Sequence, residues 1–424
     1  MESLKINALR RYLLEQDLMF LAGQPVVYHC HHFNLFLDQT IDDALGTEAS
    51  FRLRMSAARE FSGHLLSAVC EHAGVSTPPE RLTLAAHLFK LMGHGSLDFD
   101  ADFTGGTAHG SHLHYGFSWL EKYGKQVRRR HPADGFAAGF AAAALEIAYD
   151  LGPGSLCGVE HECVALRSPQ CRIEIAPDAI PETAAGAVIG ERESEGVVGA
   201  PEDGLFEDLI HPIVLGLKEF TAGVQGDERG LVQAFGVFVT MHLCGYYNRI
   251  SYDAVDYIEK SAPQSVGVLE ELLRESGHVC VFNTFGGILL SPEWEGLVGT
   301  PTNDPAKIVA WCMAIGRALG MGHWTVAEFE PERRLVLRTS SSYESVYYRA
   351  REGLAPRAVE YLFQGAALAT AQLVHRVDWE AKPQLTQEYY KRLFKGGVPW
   401  RAEQTQSIVR GDPVSEVVVT KVAV

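Results

Sequence analysis

The sequence has little positive charge. Its 424 residues include 37 Lys or Arg against 53 Asp or Glu, a formal net charge of −16. A nucleic-acid footprint needs a basic face to neutralise phosphates, so no nucleic-acid partner is expected. The one basic run, RRRH at 128–131, is short and fits a solvated helix end. No apolar run approaches the ~20 residues that cross a bilayer. The opening MESLKINALRRYLLEQDLMF is charged and helix-periodic, without the apolar core or cleavage site of a secretory signal. A cytoplasmic protein is the expectation. Also missing are a P-loop lysine, a strand–GxGxxG–helix setting, a GxSxG elbow and an HExxH helix. The usual phosphate-cradling, serine-hydrolase and zinc-protease signatures are thereby excluded.

What is present suits a globular chain. Hydrophobic residues make up 46% and charged residues 21%, enough for a substantial core. The length argues for two or three domains. The cysteines at 30, 70, 157, 163, 171, 244, 280 and 312 are spread along the chain. In a cytosolic setting that distribution points to metal binding or burial rather than disulfides.

The chain repeats itself in order. MGHGSLDF at 92–99 answers MGHWTVAEF at 321–329, and each follows a helix-periodic segment. TAHGSHLHYGFSWLEKYG from Thr107 answers TSSSYESVYYRAREGLAP from Thr339, and GFAAAALEIAYDL from Gly139 answers GAALATAQLVHRV from Gly365. VVYHCHHFN from Val26 resembles FVTMHLCGYYN from Phe238. Two tandem copies of one unit are expected, at 1–178 and 205–424. The Ala-, Gly-, Pro- and Glu-rich segment 179–204 would link them. Each copy mixes amphipathic helices with short strands such as CRIEI and SEVVVTKV, an α+β pattern with an antiparallel sheet and helices on one side.

The duplication serves as an internal control on the stretch VEHECVALRSPQC, residues 159–171. By itself the stretch could be a turn and a strand with two buried thiols, or a metal site spaced Glu160-x2-Cys163-x7-Cys171. CVALRSPQC aligns without gaps on SIVRGDPVS, so Cys163 meets Ser407, Cys171 meets Ser415 and Glu160 meets Gln404. Packing cysteines would more readily be exchanged for apolar residues than for hydroxyls. Joint loss of three candidates fits the loss of one shared metal, and it favours the metal reading.

The histidines divide in the same way. His29 has a counterpart in His242, whereas Cys30, His31 and His32 face Leu243, Cys244 and Gly245. His109, His112 and His114 face Ser341, Glu344 and Val346. His94 and His323 occur in both copies and read as fold-level residues, hydrogen-bonded within their own domain. VVYHCHHF reads as a strand, which puts His29 and His31 on one face with Cys30 and His32 behind. TGGTAHGSH reads as a loop that aims His109 or His112 at the same pocket. Imidazole titrates near neutral pH, so His29, His31, His109 and His112 are candidate acid–base or metal-binding catalytic groups.

The C-terminal part of the first copy resembles the 4-vinyl-reductase domain family, on Gly139-Phe140-Ala141 in a small-residue helix followed by Glu160, Cys163 and Cys171 before a strand. That family includes aromatic-sensing input domains of bacterial transcription activators. The resemblance covers most of the first copy and, more faintly, the second. It implies zinc, with iron as the second option, held by Glu160, Cys163 and Cys171 beside a buried pocket for a small aromatic molecule. The sensor branch places a further cysteine where this chain has Ala137. Structural zinc takes four ligands, so Cys157, His161 or water would complete the set. The sensors' ATPase and DNA-binding domains have no counterpart in this sequence, which argues against a transcription activator.

The resulting expectation is a small-molecule-binding protein for a hydrophobic or aromatic ligand, with a metal site in the first copy and a degenerate second copy that stabilises it, closes over it or dimerises. The alternative is a metal-dependent oxidoreductase or hydrolase of specialised metabolism that uses the first-copy histidines.

Overall fold

The computed structural model describes residues 6–13, 15–179, 190, 194, 197–200, 202–395 and 399–422. Most of the expected linker lies outside the described residues. The protein is a mixed α/β molecule with antiparallel sheets, of α+β character.

The N-terminal part contributes β1 (Arg10–Leu13), β2 (Leu18–Leu21) and β3 (Gln24–Cys30). Helices α1 (His31–Leu45), α2 (Thr47–Ala73) and α3 (Pro78–Leu91) follow. Then come β4 (Asp98–Asp102), β5 (Gly105–Gly110), α4 (His114–Tyr123), α5 (Gly135–Ala148), β6 (Leu156–Glu162) and β7 (Cys171–Pro177). The C-terminal part opens with α6 (Glu207–Ala222), β8 (Val232–Ala234), β9 (Val237–Leu243), α7 (Cys244–Ser261) and α8 (Val266–Cys280). After α9 (Pro305–Ala318) come β10 (Gly322–Glu330), β11 (Arg334–Ser342), α10 (Tyr343–Arg351), α11 (Tyr361–Arg376), α12 (Gln387–Lys395), β12 (Trp400–Gln406) and β13 (Ser415–Lys421).

Two four-stranded sheets have the same connectivity, β4-β5-β7-β6 and β10-β11-β13-β12. The third sheet runs β1-β2-β3-β9-β8 and takes strands from both sides of the expected boundary. At its centre β3 pairs with β9, Val27 opposite His242, Tyr28 opposite Met241 and His29 opposite Thr240. Val26, Val27 and Tyr28 supply the β-branched and aromatic side chains that a doubly covered strand favours, and all three are buried.

Local signals explain the helices around the site. Thr77 and Glu80 form a capping box at the start of α3, with proline in the first turn. Gly74, at φ 65°, ends α2 in the left-handed conformation. The small-residue helix α5 lies close against α2. A Cβ on Gly139 would sit 2.1 Å from the Met55 carbonyl oxygen, so only glycine permits that approach. Among the described residues no helix is long and apolar enough to cross a membrane.

Several expected elements differ. The helix-periodic opening instead supplies β1 and β2. RRRH lies beyond the end of α4, and its Arg129 pairs with the buried Asp42 at 3.0 Å. The strand expected over VVYHCHHF stops at Cys30, and His31 begins α1. The helical spacing of the buried Phe33, Leu37 and Ile41 extends the helix back to His31. The loop expected at TGGTAHG is instead β5, paired on both edges with β4 and β7. Gly105 and Gly106 lie at φ 129° and 150°, where a side chain would strike Ile175 and Ala101.

Candidate metal centre

Asp134, Glu160, Cys163 and Cys171 converge, and their ligand atoms all lie within 4.8 Å of one another. All four side chains are buried. Asp134 stands just before α5 and turns its carboxylate back to α4, accepting from the Tyr115 N–H (3.1 Å) and the Gly116 N–H (2.9 Å). Its own N–H donates to Glu160 Oε2 at 2.8 Å. Cys163 and Cys171 lie 4.0 and 3.7 Å from Asp134 Oδ2, at the two ends of the turn that joins β6 to β7. The site needs Gly116, because a Cβ there would come within 2.5 Å of Asp134 Oδ2 and 3.2 Å of the Cys163 sulfur.

The electrostatics call for a cation. Burial, then the neighbouring Glu160, holds the Asp134 carboxyl well above its usual range. Burial, then Cys163, does the same to Glu160. The hydrogen bond with Cys163, burial and the adjacent carboxyls push the Cys171 thiol up. Glu160 Oε1 is buried without a hydrogen-bond partner among the described residues. Two carboxylates and two thiolates at this spacing are a donor set that a borderline-soft divalent ion such as zinc accepts. The residues present fit the metal that the resemblance implies.

The fourth member is Asp134, which the sequence reading overlooked. Cys157 is half-buried and outside the group, and the exposed His161 bonds Glu174 at 2.9 Å. Ala137, the position flagged for the missing cysteine, is buried one turn into α5. The sequence marks Asp134 only as an N-cap candidate for α5, yet its side chain caps no N–H of that helix and turns to α4 instead.

In the C-terminal part the turn from β12 to β13 is built alike from Gln404, Ser407 and Ser415. Glu160 in β6 and Gln404 in β12 each precede a register shift against the next strand. The Val164 N–H bonds the Cys171 sulfur at 3.4 Å, and the Ile408 N–H bonds the Ser415 hydroxyl at 3.0 Å. At the centre lies the Glu360 carboxylate, taking hydrogen bonds from Ser407 (2.9 Å), Ser415 (2.5 Å) and Gln404 (2.9 Å). One carboxylate with three neutral donors stands where the N-terminal part gathers four ligand atoms.

The candidate histidines have different hydrogen-bond partners. His29 is fully buried, stacked on Phe33 at 3.9 Å, with Nε2 at 3.3 Å from the Tyr343 hydroxyl and Nδ1 at 3.5 Å from the Cys280 sulfur. His31 is on the first turn of α1, where its Nδ1 accepts from the Phe238 N–H at 3.2 Å. His109 lies on β5, and His112 bonds Ser111 in the turn that follows. Burial lowers His29 and His31 to about 3, which overturns the expectation that they titrate between pH 5 and 8.

A different imidazole cluster forms where the two parts meet. His94, His114 and His242 are buried with Phe136, Tyr115 and Tyr246. The His94 and His242 ring centroids are 4.8 Å apart, those of His94 and His114 6.3 Å. His94 Nε2 lies 3.1 Å from the Met241 carbonyl oxygen. A carbonyl only accepts, so Nε2 carries the proton and Nδ1 presents a lone pair. Asn34 accepts from the Tyr247 hydroxyl through Oδ1 and therefore donates through Nδ2 to His114 Nε2 at 2.9 Å. The His114 proton then sits on Nδ1. Both Nδ1 atoms are buried without partners among the described residues. Burial keeps both rings neutral, His94 down to about 3. Of the expected His29–His32 and His109–His114 sets, only His114 enters this cluster. The His94 and His323 imidazoles bond across the two halves rather than within their own: His94 reaches Met241, and His323 reaches Asp17 at 2.8 Å.

No protein-family model and no curated protein match the chain. Among solved structures it is similar to the crystal structure of the phenol-responsive sensory domain of the transcription activator PoxR with phenol. That likeness is 17% identical, covers 41% of this chain and 86% of that one, and has a TM-score of 0.31.

Proposed function

We propose that this chain is a small-molecule-binding protein in which a metal, zinc by donor type, pins α5 to the β6–β7 turn through Asp134, Glu160, Cys163 and Cys171. Four protein donors match the filled set of a structural site rather than the open position of a catalytic one. When bound, the ion would supply the positive charge that the four buried acidic groups lack. Tyr115 ties this site to the imidazole cluster, because its N–H holds Asp134 while its hydroxyl lies 3.0 Å from His242 Nε2.

The ligand is a small hydroxylated aromatic molecule, taken up in the imidazole cluster. The observation that carries this reading is two unpartnered buried ring nitrogens among aromatic walls, an acceptor on His94 and a donor on His114, with His242 Nδ1 and the Tyr246 hydroxyl also unpartnered among the described residues. A hydroxyl group both donates and accepts, and it satisfies the two together. The Phe136 and His242 rings, 4.2 Å apart, must part to admit it. We infer further that the two parts are copies of one 4-vinyl-reductase-like unit, the second having lost its metal. The matching strand orders and the β3–β9 pairing about Tyr28 and Met241 support this.

Calorimetric titration with phenol and toluene tests the proposal. Phenol should bind at least about tenfold more tightly than toluene, since a buried polar group left unpaired costs ~1–3 kcal/mol. His94→Ala should erase that preference. Equal binding of the two ligands, or phenol affinity untouched by His94→Ala, would overturn it.

A further inference from the structure

A single ligand hydroxyl satisfies His94 Nδ1 and His114 Nδ1, both from the N-terminal part, and leaves the imidazole cluster incomplete. Two further polar atoms come from the C-terminal part, His242 Nδ1 on β9 and the Tyr246 hydroxyl on α7. Both are buried without partners among the described residues, and both side chains are fully shielded from solvent. Native interiors seldom leave two such groups unpaired side by side, because each forfeits the hydrogen bonds it makes in water.

The second pair sits together and beside the first. The His242 ring stacks on Tyr246 with centroids 4.6 Å apart, and it lies 4.8 Å from His94, nearer than His114 does at 6.3 Å. A ligand group that meets His242 and Tyr246 therefore stands next to the hydroxyl on His94 rather than across the ring from it. The partners also fix its chemistry. The Tyr115 hydroxyl, 3.0 Å from His242 Nε2, fits as donor or as acceptor. His242 Nδ1 then carries a proton in the first case and a lone pair in the second. The Tyr246 hydroxyl does either. A hydroxyl serves every combination, whereas an ammonium only donates and a carbonyl only accepts. Burial, then Asp38, raises Tyr246, and burial, then His94, lowers His242, so both stay neutral and favour a neutral ligand.

Resting on the phenolic reading above, we infer that the ligand carries a second hydroxyl beside the first, as a catechol-type ring does. His94 and His114 hold one hydroxyl, and His242 and Tyr246 hold the other, so the ring bridges the two parts of the chain. Calorimetric titration under argon with catechol, phenol and hydroquinone tests this. Catechol should bind at least about tenfold more tightly than phenol, because it pairs two more buried groups. Hydroquinone, whose second hydroxyl lies across the ring, should bind no more tightly than phenol. Tyr246→Phe should lower the catechol-to-phenol affinity ratio at least about threefold. Catechol that merely chelated a metal at Asp134 would keep its advantage in that variant. The inference is overturned if catechol falls short of that gain, if hydroquinone gains over phenol as well, or if folded Tyr246→Phe keeps the wild-type ratio. The three wild-type affinities decide the matter if that variant does not fold. Where phenol outbinds toluene but catechol gains nothing over phenol, the second hydroxyl alone falls. Where phenol does not outbind toluene, the phenolic reading falls and takes the second hydroxyl with it.

Discussion

Replacing Cys163 and Cys171 together by serine gives the N-terminal turn the side chains of the C-terminal one, and the outcome follows from what surrounds each. Around Glu360 the two serine hydroxyls and the Gln404 amide donate to a single carboxylate at 2.5–2.9 Å. Around Asp134 the second acidic group is Glu160, which brings no such donor, and Asp134 Oδ2 is 4.0 and 3.7 Å from the two sulfurs. The serine variant therefore loses its soft ligands without gaining the hydrogen-bonded cage. An ion bound at a thousandfold excess over its dissociation constant contributes about 4 kcal/mol. For a cooperative unit of roughly 150–250 residues, that loss lowers the melting temperature by roughly 8–16 °C. Plasma mass spectrometry should find a single metal per wild-type chain, as one four-residue group implies, and almost none in the variant. Melting followed by circular dichroism should show the same drop when a strong chelator strips the wild type. If the variant keeps its metal, or stripping leaves the wild-type melting temperature unmoved, the site is not a metal staple.

Gly116→Ala should lower metal content and cost about 1–3 kcal/mol, because the new methyl meets a carboxylate already fixed by two N–H groups; normal metal content and stability would contradict the packing described. The buried Glu344 predicts a pH slope. Burial raises its folded-state pKa to about 8, above the ordinary carboxyl value, so its contribution is full below about pH 4.5 and is lost as pH rises through 8. Urea unfolding of the wild type should show stability falling across that window, and Glu344→Gln should flatten the decline.

Three of the four clustered residues were legible because their signal is local. A strand–turn–strand unit fixes Glu160, Cys163 and Cys171 within a dozen positions, and the β12–β13 turn is built alike with Gln404, Ser407 and Ser415. Asp134 lies 26 residues before Glu160 in sequence and reaches the site only through the packing of α5 on β6. Composition near Ala137 could not show which residue ahead of the helix would turn inward. Periodicity placed the helices Pro78–Leu91 and Pro305–Ala318, yet a strand was carried through His31, since the choice between strand and helix there fell to α1's buried face. Alternation along that imagined strand then grouped His29 with His31, which folding sends to different surroundings. By itself the sequence determined the α+β class, the paired segments and the Glu-Cys-Cys spacing, because all three are set by neighbours along the chain. Only the tertiary structure decided that Asp134 joins Glu160, Cys163 and Cys171, and that His94, His114 and His242 cluster. Each of these joins residues from distant segments, and burial sets the charge and hydrogen bonding of their groups once the elements have packed.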